Sequence, residues 1–153
     1  MVVPTSITTK VDLIGHQLHD PVPTAAGVAG SHILRRHPVE VIERFASLDR
    51  SQLWLSAIVA AELRFGAAKL GSPKFTVAVE AWLAGFEVRP WPPEASHSYA
   101  QIRATLERGG RPIGGMDLLI ASHAVSEDSV LITNNAREFL RVPSLAVEDW
   151  AMQ

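Results

Sequence analysis

The chain predicts an α/β fold, a three-layer α/β/α arrangement around a mostly parallel central sheet. Three observations carry that expectation. Short β-rich runs alternate with amphipathic helical stretches from Ser31 to the end. One of those runs, Ser51 to Val59 (SQLWLSAIV), becomes continuously apolar, as a strand covered on both faces must. Glycine and proline punctuate the boundaries, at Gly71-Ser72-Pro73, Gly85, Pro92-Pro93 and Gly109-Gly110.

A length of 153 residues suits one domain, large enough to bury most of its apolar surface without staples. There is no cysteine, so disulfides and thiolate metal sites are excluded and a cytoplasmic setting is expected. A formal net charge of -2 gives no global attraction to nucleic acid. Any such binding needs a local patch, for which Arg35, Arg36, Arg44, Arg64, Arg103, Arg108, Arg111, Arg137 and Arg141 are available. No apolar run approaches the roughly 20 residues that span a bilayer, and the first residues do not read as a signal peptide, so no membrane partner is expected.

Residues 1–30 form an atypical, irregular amino-terminal segment, broken by prolines and lacking arginine. One strand is expected there at Val11 to Ile14 and a weaker one at Ala25 to Ala29, where glycine and alanine disfavour it. Residues 31–153 carry the domain proper. Ser31 caps a helix that Pro38 interrupts, and Val39, Ile42, Phe45 and Ala46 continue at helical spacing to about Ser47. After the strand Ser51 to Val59 comes a helix from about Ala60 to Leu70. A second, about Lys74 to Ala84, carries the stripe Phe75, Val79, Trp82 and Leu83. Phe86 to Trp91 reads as a short strand, and Pro92-Pro93 opens a helix from Glu94 to Glu107 with Ala95, Tyr99, Ile102 and Leu106 on one face. A loop from Arg108 to Pro112 leads to a helix from about Gly115 to Val125. A strand at Val130 to Thr133, a short helix at Arg137 to Leu140 and a strand at Leu145 to Val147 complete the order.

Two acids stand where packing favours apolar residues. Asp117 lies between Met116 and Leu118-Leu119-Ile120, and Glu62 lies within Ala60-Ala61-Glu62-Leu63-Arg64-Phe65-Gly66. Each alone is also explained as an acid at a helix start, favoured by the macrodipole. Asn134-Asn135 follow the strand ending near Thr133, and in parallel sheets ligands collect beyond the carboxyl ends of strands. Glu62, Asp117 and Asn135 are therefore expected to converge on one edge. Carboxylates, amide oxygens and water are hard ligands suited to Mg²⁺ or Mn²⁺. The two amides are equally explained as a turn. The six histidines show no ligand spacing, the tryptophans read as core or interface, and Gly109-Gly110 and Gly114-Gly115 lack the Gly-Lys-Ser/Thr of a P-loop.

Leu55-Ser56-Ala57-Ile58 with Ala61-Glu62-Leu63-Arg64-Phe65-Gly66, then Arg111-Pro112-Ile113-Gly114-Gly115-Met116-Asp117-Leu118-Leu119-Ile120-Ala121, then Ile132-Thr133-Asn134-Asn135-Ala136-Arg137-Glu138-Phe139 resemble the PIN-domain toxins of the VapC type. Ser31-His32-Ile33-Leu34-Arg35 is similar to the segment after that family's first strand. The resemblance implies a Mg²⁺-dependent ribonuclease (a hydrolase of RNA phosphodiesters) that pairs with an antitoxin protein and forms a homodimer. It places metal-binding acids at Glu62 and Asp117 and a further site position at Asn135. Thr133, Asn134 and Arg64 are expected on the substrate side. The family also carries an Asp at the end of its first strand, and counting back from Ser31 the equivalent stretch is Ala26-Gly27-Val28, with no acid. Asp12 and Asp20 lie further upstream. That departure opens an alternative expectation, a catalytically impaired PIN-fold protein that acts through antitoxin or dimer binding alone.

Overall fold

The computed structural model describes residues 7–9, 53–133 and 135–149, which build one five-stranded parallel sheet with helices packed on it. Strand β1 (Ile7–Thr9) pairs with β2 (Leu53–Ser56), and β2 pairs with β3 (Glu87–Arg89). On its other side β1 pairs with β4 (Val130–Ile132), and β4 with β5 (Val147–Glu148), so the order is β3-β2-β1-β4-β5. Parallel neighbours cannot be joined by tight hairpins and need crossovers. Helices α1 (Ala57–Leu70) and α2 (Pro73–Leu83) connect β2 to β3, and α3 (Ala95–Arg108) and α4 (Gly115–Ser126) connect β3 to β4. A single turn of helix, α5 (Ala136–Phe139), precedes β5. No helix among the described residues is long and apolar enough to cross a membrane.

The centre of the sheet belongs to Ile7–Thr9, within the atypical amino-terminal segment. The strands expected at Val11 to Ile14 and Ala25 to Ala29, and the helix expected from Ser31 to Ser47, lie outside the described residues.

The apolar run from Ser51 to Val59 divides earlier than its hydropathy suggests. β2 stops at Ser56, whose backbone is extended and whose Oγ accepts the N–H of Ile58 at 3.2 Å. That N-cap starts α1 at Ala57, so Ala57-Ile58-Val59 is a first helical turn and not strand. A short apolar run cannot by itself distinguish the two; Val59, Leu63 and Ala67, all buried at four-residue spacing, decide it. Ser72 likewise caps α2 by accepting the N–H of Phe75, with Pro73 in the first turn. β3 is shorter than the expected Phe86 to Trp91 because Pro90 has no N–H to donate to a ladder. β5 falls at Val147–Glu148, since the N–H of Leu145 turns back to the carbonyl of Val142.

The helix faces match the expected stripes. α2 buries Val79, Trp82 and Leu83, and α3 buries Ala95, Ile102 and Leu106. α4 differs, burying Leu118 and the whole run Ile120 to Ala124, so it is enclosed on most sides, with α3 as its main helical neighbour. Leu55, Ile120, Leu131 and Phe139 have no solvent exposure and join the two sides of the core.

Candidate active site

The path of α4 places Asp117. A short turn follows the helix, closed by the N–H of Ser129 on the carbonyl of Ala124 at 2.9 Å, and β4 begins at once. The carboxyl end of α4 thus sits where β4 starts. Its 12 residues rise about 18 Å at ~1.5 Å each, which carries its amino end towards the carboxyl edge of the sheet. Asp117 lies in that first turn, half-buried, where the helix presents partial positive charge.

The preceding loop is shaped by one glycine. Gly110 has φ 64°, the N–H of Gly110 reaches the carbonyl of Glu107, and the N–H of Arg111 reaches that of Leu106 at 2.9 Å, a Schellman close to α3. Gly114 lies near the acid, since a Cβ added to it would stand 3.5 Å from Asp117 Oδ2. That distance is ordinary van der Waals contact, so the approach to Asp117 does not itself require glycine.

Glu62 stands in the second turn of α1 and not at a helix start, because α1 begins at Ala57. It is half-buried, on a helix that packs against α4. Thr133 is buried; its N–H donates to the carbonyl of Glu148 at 3.0 Å, and its Oγ1 accepts the N–H of Asn135 at 3.0 Å. The hydroxyl thereby fixes the turn beyond β4 and sets the backbone of half-buried Asn135. Asn134 lies outside the described residues. Arg64 is engaged elsewhere, its guanidinium forked onto both oxygens of Glu80 at 2.7 and 2.8 Å.

The donor set is one of hard oxygen atoms, which suits Mg²⁺ or Mn²⁺ held by one or two carboxylates with water and substrate phosphate completing the shell. Among the described residues, no three His, Cys, Asp or Glu side chains gather to enclose a metal ion. Glu62 and Asp117 offer hard oxygen donors of that kind, from α1 and α4.

A second polar cluster lies inside the fold, and the sequence did not single it out. His123 of α4 is fully buried, with Nδ1 2.9 Å from Ser56 Oγ and its ring 4.7 Å from that of Trp54. Arg89 lies over the ring of Trp54 at 4.9 Å and is bound to Glu87 and Glu127. Burial, and then the charge of Arg89, push the imidazole down to about 4, so it is neutral. No spacing marks such a group, because its partners come from β2 and β3.

Residues 28–145 match the PIN domain family model. The tRNA(fMet)-specific endonuclease VapC of Salmonella typhimurium is 40% identical over 118 residues, covering 76% of this chain and 89% of that protein. Ribonuclease VapC2 of Haemophilus influenzae is 36% identical over 120 residues, covering 78% and 90%. The crystal structure of DNA-bound VapBC from Salmonella typhimurium superposes with a TM-score of 0.74 at 33% identity, covering 95% of this chain and 98% of that one. A parallel sheet with acids on α1 and α4, and this likeness over most of the chain, lead to one assignment: the chain belongs to the PIN domain family, in its VapC group.

Proposed function

We propose that this chain is a metal-dependent endoribonuclease toxin of a type II toxin-antitoxin pair, acting in the cytoplasm on RNA phosphodiesters. Glu62 and Asp117 hold Mg²⁺ or Mn²⁺, with Asn135 beside them. The observation that supports this most is the position of Asp117, the one acidic residue of α4, in the first turn of a helix whose amino end faces the carboxyl edge of the sheet. A bound divalent ion there supplies an activated water and offsets charge developing on the phosphodiester. The side chains of Glu62 and Asp117 orient that ion, and Thr133 holds the backbone from which Asn135 projects. The VapBC likenesses support an antitoxin protein as partner, and a homodimer completes the assembly.

A second reading has its own observation. The central strand Ile7-Thr8-Thr9 carries no carboxylate, and neither does Ala26-Gly27-Val28. In that reading the chain keeps the fold and its antitoxin or dimer contacts, but two acids alone hold the ion too weakly for turnover. Cleavage of a mixed structured RNA in Mg²⁺ or Mn²⁺ separates the two. Cleavage that Asp117→Ala abolishes supports the ribonuclease. Cleavage that begins only in Thr9→Asp or Ala26→Asp supports the impaired protein and identifies where the first acid belongs, since Thr9 stands in register with Ile132, one residue before Thr133.

A further inference from the structure

The arginines of the described residues fall into two groups. Arg64 is bound to Glu80, Arg89 to Glu87 and Glu127, Arg103 to Glu107 and Arg141 to Glu138. Arg108, Arg111 and Arg137 are exposed and have no carboxylate partner among the described residues. Arg108 is explained as the cation in the last turn of α3. Arg137 is also the basic residue of its helix, but α5 is a single turn of four residues with little macrodipole to offset, and Arg111 lies in no helix.

Their positions are related. The Schellman close at Gly110 fixes the backbone of Arg111, and Arg141 Nη1 donates to the carbonyl of Pro112 at 3.1 Å, tying this loop to the turn after α5. Arg137 stands four residues before Arg141, which follows the end of α5, and two residues after Asn135. The two arginines thus stand close in the chain to the candidate site residues, Arg111 on the loop leading into α4 and Arg137 on α5.

We propose that Arg111 and Arg137 are positioning residues that seat the phosphates of a single RNA strand across this site. The inference rests on the ribonuclease reading and deepens it. Carboxylates at the site repel a polyanion, so the strand needs cations beside them, and the guanidinium fork matches phosphate oxygens. Arg111 and Arg137 contact phosphate without giving up an ion pair. Arg64 would have to release both oxygens of Glu80 to do the same.

The test is binding of a labelled single-stranded RNA to the full chain in EDTA, across a series of salt concentrations, where no metal-dependent cleavage intervenes. The slope of log K against log salt should fall by about 0.7 for each of Arg111→Ala and Arg137→Ala, with weakening that is uniform across sequences. Arg111→Lys and Arg137→Lys should keep the slope, and Arg64→Ala should leave it unchanged. An unaltered slope in the doubly substituted chain overturns the proposal, as does a fall caused by Arg64→Ala in its place, or failure of the unsubstituted chain to bind. Binding that depends on Arg111 and Arg137 in a chain that never cleaves RNA would leave this placement standing and overturn the ribonuclease reading.

Discussion

Two polar regions of this chain use charge in opposite ways. Beneath α4, Ser56, His123, Trp54 and Arg89 are packed together, and Arg89 is committed to Glu87 and Glu127. Asp117 and Asn135 are half-buried, while Arg111, on the loop leading into α4, and Arg137, on α5, are exposed and have no carboxylate partner among the described residues. The first arrangement ties β2 to α4 through the Ser56–His123 contact, although Trp54 Nε1 and His123 Nε2 are buried without a hydrogen-bond partner. The second leaves cations facing solvent, which is what a site for an anionic strand requires.

The comparison breaks most sharply at Asp117. Replacing it with alanine should lower the cleavage rate by at least about 100-fold, with the thermal midpoint held to within a few degrees. Cleavage at the original rate by a folded Asp117→Ala chain would move the chemistry away from this residue. Ser56→Ala should act in the other sense, altering stability more than binding. It removes the N-cap of α1 and leaves His123 Nδ1 without its partner, for a cost of about 2–3 kcal/mol. Urea unfolding with an unchanged m-value is the measurement; a loss below about 0.5 kcal/mol would show that the cluster contributes little.

His123 sharpens the contrast through pH. Its folded value is lowered to about 4 from the ordinary 6.5, so between these limits the unfolded chain binds a proton that the folded chain does not. Stability therefore rises with pH through that window and is lost as pH falls. Between pH 7 and pH 5 the loss should be about 1–2 kcal/mol, and His123→Gln should remove that part of the pH dependence. An identical pH profile in the variant would mean that other groups set the acid sensitivity.

These regions were not equally legible in the sequence. Asp117 stands out because a charged residue interrupts an apolar helix, and three ordered motifs supported it. Glu62 was found on the right helix but placed near its start, because the hydropathy of Ala57-Ile58-Val59 is the same for a buried strand and a buried helical turn. The Ser56 cap, which decides the matter, is a side-chain hydrogen bond that hydropathy does not record. The His123 cluster was invisible for a different reason: its members lie far apart in sequence and meet through strand register and helix packing. Among the arginines, sequence supplied nine candidates for a basic patch but no means of dividing them, since partners such as Glu80 and Glu127 are set by tertiary contact.

Arg64 yields the smallest expected effect and the cleanest discrimination. It sits two residues after Glu62, so proximity in sequence alone suggests a role in holding RNA. In the fold its guanidinium and the Glu80 carboxylate form an exposed bidentate pair between α1 and α2, which raises the one group's pKa and lowers the other's through their shared hydrogen bonds. Exposed pairs of this kind contribute little to stability, because solvent screens them and both side chains surrender freedom to meet. Arg64→Ala should therefore leave the thermal midpoint within about 2 °C and RNA affinity nearly unchanged. A large loss of RNA affinity at an unchanged midpoint would show that Arg64 exchanges Glu80 for phosphate, and that an arginine's partner in the free protein does not determine its partner in the complex.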